Sequence, residues 1–220
     1  MKYQHDNNSI DIREQMEEIY REMPLEKIPW NVSEPPRLLV DAVKSGRVQP
    51  CKAVDLGCGA GNYAVWMARQ GFEMTGLDIS AGAVKYAREL AARKAVTCRF
   101  EVVDLLGDVG EFAGSFDFGY DWELLHHIFP GDRPAYIRNV HRVLKPGAAY
   151  LSLCFSEKDR SFGGHGKYRD TSIGTRLYFS SEQELHDLFS PHFDILELTT
   201  VEVSGKRGLH QANMGWLRRK

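Results

Sequence analysis

Long apolar runs are missing from this 220-residue chain. No segment approaches the ~18–20 consecutive apolar residues of a membrane-spanning helix, and Ala148–Phe155, among the longer runs, is interrupted by Ser152. Cysteine is sparse. Cys51, Cys58, Cys98 and Cys154 are widely spaced, with no CxxC and no histidine at a zinc-finger distance, which excludes a disulfide scaffold and a small zinc module. An excess of either charge is also missing: 28 Lys and Arg face 30 Asp and Glu, so the chain lacks the basic footprint of a nucleic-acid binder. There are no internal repeats and no Gly/Ser- or Pro-rich linkers. Residues 1–15 are polar and mixed in charge, unlike the apolar core of a signal peptide. These absences predict a globular cytoplasmic protein that contacts neither membrane nor nucleic acid.

What is present falls into two parts. Residues 1–50 read as an N-terminal helical cap. Ile12, Met16, Ile19, Tyr20 and Met23 recur at helical spacing until Pro24. Ile28-Pro29-Trp30 and Pro35-Pro36 then turn the chain into a short helix over 37–44. From residue 51 strands alternate with helices: strands at 53–56, 73–78, 97–103, 116–120 and 148–155, helices at 62–70, 81–94 and 133–144, and a weaker helical stretch at 106–112. Ser80 and Asp132 are placed to cap two of the helices. Residues 156–176 carry little periodicity and are long for a connection, which predicts a lid or binding loop. Ser181-x-x-Glu184 is a capping box, and 195–203 and 210–217 read as an antiparallel strand pair at the end of the sheet. The pattern predicts an α/β fold: a seven-stranded, mainly parallel sheet with an antiparallel last strand and helices on both faces.

The chemistry concentrates at the carboxyl ends of the strands. Asp55-Leu56-Gly57-Cys58-Gly59-Ala60-Gly61-Asn62 follows the first strand and opens the first helix of the alternation. In open α/β sheets ligands bind at that edge. The third glycine of a dinucleotide fingerprint would stand at 62, which is Asn. Asp78 ends the second strand 21 residues after Gly57, where an acid can hold ribose hydroxyls. Asp104 ends the third.

This D-x-G-x-G-x-G turn with two further acids resembles the class I S-adenosylmethionine-dependent methyltransferases. The resemblance continues through Phe116–Asp121, Leu124–Ile128 and Arg142–Gly147. It implies a Rossmann-like fold, S-adenosylmethionine as cofactor, and cofactor contacts at Trp30, Asp55, Gly57, Cys58, Gly59, Gly61, Asp78, Ile79, Asp104, Leu105 and Asp121. Within these, Asp55 receives the methionine ammonium, Asp78 the ribose hydroxyls, and Asp104 with the Leu105 N–H the adenine. Ile28-Pro29-Trp30 and Tyr178-Phe179-Ser180 look like a narrower group, the thiopurine-, thiol/halide- and tellurite-resistance-type methyltransferases, in which a tryptophan covers the cofactor. The expected acceptor is a small molecule, a thiol or another soft nucleophile.

In-line methyl transfer rests mainly on alignment and water exclusion, so no catalytic triad is required. Asp121, just after the fourth strand, is placed to hold the acceptor, to act as base or to cap the next helix. Trp122 is a candidate pocket wall, and Cys154, Arg160, His165, Tyr168 and Arg169 are acceptor-side candidates. Adjacent His126 and His127 diverge on a helix, which sends one ring inward and the other to solvent and leaves no metal site. Three rival readings stand beside this one: an NAD(P)-dependent oxidoreductase, a methyltransferase acting on RNA or protein, and a cofactor-binding protein without catalysis.

Overall fold

The computed structural model describes residues 12–162, 165–206 and 208–220. Two helices, α1 (Ile12–Glu22) and α2 (Arg37–Lys44), precede the alternation. Then follow β1 (Lys52–Leu56), α3 (Asn62–Arg69), β2 (Glu73–Asp78), α4 (Ala81–Arg93), β3 (Cys98–Val102), β4 (Phe116–Trp122), α5 (Arg133–Val143) and β5 (Leu144–Phe155). A small hairpin, β6 (Tyr168–Asp170) and β7 (Arg176–Tyr178), leads to α6 (Glu182–Phe189), β8 (Phe193–Gly205) and β9 (Gly208–Arg219).

Seven strands form one sheet in the order β3-β2-β1-β4-β5-β9-β8. β1 to β5 pair in parallel. β9 runs antiparallel to both β5 and β8, so the antiparallel strand is last in the chain but lies inside the sheet. Side chains alternate between two cores, as a strand's period of two requires. Ala53, Phe100, Phe118 and Tyr120 pack with Ala64 and Met67 of α3 and Val84 and Ala87 of α4. Val54, Leu56 and Leu77 pack with Tyr136, Ile137 and Val140 of α5 and Leu185 and Phe189 of α6.

The caps show why these segments are helical. Ser80 accepts the Ala83 N–H at 3.1 Å. Ser181 and Glu184 complete both halves of their capping box. Asp132 stands at the N-cap of α5 but makes no side-chain cap bond; Pro134, placed in the first turn, favours the helix there instead. The helix expected over 106–112 shrinks to a 3-10 turn at Gly110–Phe112, because the Asp104 carboxylate takes the Leu106 N–H at 2.9 Å and ties that stretch into a turn. Residues 156–162 and 165–176 are more ordered than their composition suggests. Buried Arg169 donates to the Asp159 and Glu157 carbonyls and lies 3.9 Å over the Phe179 ring. Among the described residues no helix is long and apolar enough to cross a membrane.

Candidate active site

β1 and α3 are joined by the glycine turn. Leu77 O receives both the Gly57 and Cys58 N–H groups, at 2.8 and 3.0 Å, which ties the turn to the end of β2. Gly57 and Gly59 adopt φ of +75° and +52°, a region closed to most residues. Each also lacks room for a Cβ. One on Gly57 would come within 2.8 Å of the Leu124 side chain, and one on Gly59 within 2.8 Å of the Tyr20 hydroxyl. Two segments distant in sequence, α1 and the turn after β4, therefore close over the bare face of this loop.

The three acids predicted from sequence stand at the ends of β1, β2 and β3, in three settings. Asp55 is 3% exposed. Burial, first of all, lifts its pKa to about 7, and the neighbouring carboxylates of Asp78 and Asp121 add to the rise. The Tyr120 hydroxyl lies against it yet completes no hydrogen bond. Asp78 accepts the Gly59 N–H at 2.8 Å and the Ser80 N–H at 3.0 Å, so it braces the glycine turn from β2. Burial raises its pKa against these bonds. Asp104 is half-buried and holds its Asx turn. Ile79 is half-buried, and Cys58 and Leu105 are buried beside these acids.

The N-terminal segment reaches this edge through a chain of contacts. Trp30 Nε1–H donates to the Tyr20 hydroxyl at 3.0 Å, and the Trp30 ring meets His127 edge-on at 5.5 Å. Asn62, first residue of α3, donates to Asn31 Oδ1 at 2.6 Å. Glu17 Oε2 accepts from the Ser80 hydroxyl at 2.7 Å and from the Gly82 N–H at 3.1 Å, placing a carboxylate on the positive end of α4. Gln15 donates to Gly174 O at 3.1 Å, which links α1 to the 156–176 segment. Helical period marks Tyr20 as part of a buried face but not what that face covers, and it gives no sign of Glu17 as a partner.

Other expectations change. Asp121 is fully buried on the opposite face of the sheet, under α5. Its carboxylate accepts from Tyr136 at 2.8 Å, from Ser152 at 3.0 Å and from Tyr150, and burial raises its pKa to about 6. In place of an acceptor-side group or a helix cap stands a core carboxylate already furnished with three hydroxyl donors. Cys154 is 1% exposed and its thiol is pushed up to about 12 by burial, the mark of an inert thiol rather than a pocket nucleophile. Arg169 is spent on loop carbonyls, as described above. Arg160 and His165 face each other at 3.3 Å on the surface, and Tyr168 packs edge-on to Phe129.

The two histidines do not divide between core and solvent. They occupy a 3-10 turn at Leu125–His127, His126 stacked on Phe155 at 4.2 Å and His127 against Trp30. Burial lowers both pKa values, that of His127 to about 4. No cluster suited to a metal ion occurs among the described residues. Arg133, read from sequence only as the start of α5, is 4% exposed and pins this turn: it donates to Leu125 O, Ile128 O and the Ser180 hydroxyl at 2.7–2.9 Å.

A nucleoside cofactor with an amino-acid tail fits these residues. The loop offers bare backbone, three acids stand at successive strand ends, and two buried polar atoms at this edge, Tyr120 Oη and His127 Nδ1, complete no hydrogen bond. A cleft at the opposite ends of the strands is edged by the Lys52–Glu73 and Arg99–Glu111 ion pairs and has no comparable loop.

Residues 53–147 match the family model of a methyltransferase domain. A 2-heptyl-1-hydroxyquinolin-4(1H)-one methyltransferase of Mycobacteroides abscessus is 29% identical over 59% of this chain and 56% of its own. A probable thiol methyltransferase of Arabidopsis thaliana is 29% identical over 61% and 60%. The chain thus matches under two thirds of the length of either relative. A solved structure concerned with the conversion of a disulfide bond into a thioacetal group during echinomycin biosynthesis superposes with a TM-score of 0.80 at 26% identity, covering 95% of this chain and 93% of that one. The glycine turn, the strand order with one antiparallel strand, and these likenesses agree: residues 53–147 are a methyltransferase domain, set in the Rossmann-like fold of the class I S-adenosylmethionine-dependent methyltransferases.

Proposed function

We propose that the protein methylates a small-molecule acceptor, a thiol or another soft nucleophile, at the edge of the sheet where the glycine turn lies. The observation that carries this reading is the closure of α1 and Trp30 over that turn through Tyr20 and Gly59. A lid tied to the loop itself favours an enclosed reaction and leaves little room for a macromolecule. Sulfur chemistry in the probable thiol methyltransferase and in the thioacetal-forming protein points the same way.

In this proposal Gly57, Cys58, Gly59 and Gly61 receive the methionine and ribose portions of S-adenosylmethionine. Asp55 takes the ammonium, Asp78 and Ile79 the ribose, and Asp104 with Leu105 the adenine, while Trp30 closes the site. Bound there, the cofactor supplies a sulfonium that carries an electrophilic methyl group. The chain's residues orient it and exclude water. Asp121 acts indirectly, by holding the end of β4 to β5 and α5. Residues 1–50 form the cap and 51–220 the cofactor-binding domain, with residues 1–11 outside the described structure.

The test is a screen of the purified protein against thiols, phenols, amines, halides and metalloid oxyanions, read as S-adenosylhomocysteine release. Turnover on one small acceptor class supports the reading. Turnover on tRNA or a folded protein alone, or cofactor binding with no turnover, overturns it.

A further inference from the structure

Glu123 has a conformation and an environment that its place in the sequence does not announce. Its φ is +62°. Among the described residues the only other non-glycine with positive φ is Ala95, which follows the end of α4, where such a residue is ordinary. Glu123 instead leaves the end of β4, and its N–H is held to Leu153 O at 2.9 Å. A glutamate fixed in this region is strained, and such strain gathers at functional sites.

The neighbours place it. Leu124, the next residue, lies against Gly57 of the glycine turn. Trp122, the residue before, meets Tyr63 of α3 edge-on at 6.5 Å. The Tyr63 phenol is made less acidic first by burial and then by the carboxylates of Glu123 and Asp55, so Tyr63 lies within electrostatic reach of both acids. The Glu123 carboxylate makes no hydrogen bond or ion pair among the described residues. Asp121, two residues earlier, points to the other face and holds three hydroxyls. At the end of β4, Glu123 is the carboxylate with hydrogen-bonding capacity left.

We propose that Glu123 is a catalytic residue that faces the transferring methyl and accepts the proton of an acceptor that arrives neutral, through a hydroxyl, N-hydroxyl or thiol. This rests on the methyltransferase reading above. An acceptor lone pair forms the bond to the methyl carbon, the carbon–sulfur bond breaks with its electron pair passing to sulfur, and the acceptor's proton moves to a Glu123 oxygen. Glu123 is half-buried, and the water it has lost raises its carboxyl to about 7, close to the operating pH that suits a general base. The titratable group within its electrostatic reach is Tyr63, which stays neutral throughout that range.

The test compares the wild type with Glu123→Gln, which keeps the side-chain volume, after thermal melts show that the variant folds. Calorimetry measures S-adenosylmethionine and S-adenosylhomocysteine separately. The variant should lose roughly tenfold in affinity for the cationic cofactor, one pKa unit's worth of charge interaction, and keep its affinity for the neutral product. S-adenosylhomocysteine release is then followed with 1-naphthol, which is protonated at neutral pH, and thiophenol, which is largely ionised. Glu123→Gln should slow transfer to 1-naphthol by about 100-fold or more, remove the rise in rate through about pH 7 seen with the wild type, and leave thiophenol within a few fold. Equal losses on both acceptors, an unchanged cofactor preference, or a cofactor-binding wild type that methylates thiophenol alone or neither probe overturns the role of Glu123. A wild type that does not bind S-adenosylmethionine overturns the methyltransferase reading instead.

Discussion

Asp55 and Asp121 are buried carboxylates on adjacent strands, facing opposite layers, and their surroundings assign them different work. Asp121 collects three hydroxyls. Asp121→Ala leaves those donors without an acceptor and should cost about 3 kcal/mol in urea unfolding, with Asp121→Asn milder. Unchanged stability with lost turnover would return Asp121 to the chemistry. Asp55 has the incomplete contact of Tyr120 and the backbone N–H of Ala64, and its folded pKa of about 7 lies above the unfolded 3.8. The native protein therefore holds a proton there that the unfolded chain gives up. The stability it lends is full below pH ~4 and lost as pH rises through about 7. Half-buried His127, with its pKa lowered to about 4, acts in the opposite sense, and stability gained from it grows as pH rises toward the unfolded value. The test is accordingly differential. The melting temperature of Asp55→Asn minus that of the wild type, both free of cofactor, should climb between pH 4.5 and 7.5, on the order of the window these pKa values define. A flat difference contradicts a buried, protonated Asp55.

Elements tell how far the sequence was legible. The positions of β1, α3, β2 and α4 follow from punctuation by Gly, Ser and Asp and from periodicity, which are local signals. The glycine turn was readable because its chemistry sits within one short stretch. What pairs across long separations was not: Glu17 on the start of α4, Tyr20 on Gly59, Arg133 under the Leu125–Ile128 turn. Glu123 escaped because left-handed φ at a glutamate has no sequence signature. The contact of α1 with α4 makes its own prediction. Glu17 caps exposed N–H groups at a helix start, so Glu17→Ala should cost roughly 1 kcal/mol and raise hydrogen exchange in residues 12–22 before it affects the sheet. Uniform loosening of the whole chain would mean that α1 is not held at that point.

Across the whole molecule, the cap, the 156–176 segment and the sheet edge meet through Gln15–Gly174, Asn31–Asn62 and the Lys206 bonds to the Glu26 and Ile28 carbonyls. A ligand bound beneath them should order them together. At a cofactor concentration 100 times the Kd, opening costs about 2.7 kcal/mol more, so proteolysis within residues 12–30 and 156–176 should slow by roughly 100-fold where cleavage requires cofactor release. Protection confined to the sheet would separate the cap from the site. The central claim, that the glycine turn and its three acids bind S-adenosylmethionine, is tested most directly by calorimetric titration of the wild type and Asp78→Ala with S-adenosylmethionine and with NAD. The account predicts binding of S-adenosylmethionine but not of NAD by the wild type, and a loss of roughly 2–4 kcal/mol in the variant, whose ribose hydroxyls lack a charged acceptor. Equal affinity of the two proteins for S-adenosylmethionine, or preference of the wild type for NAD, would contradict it.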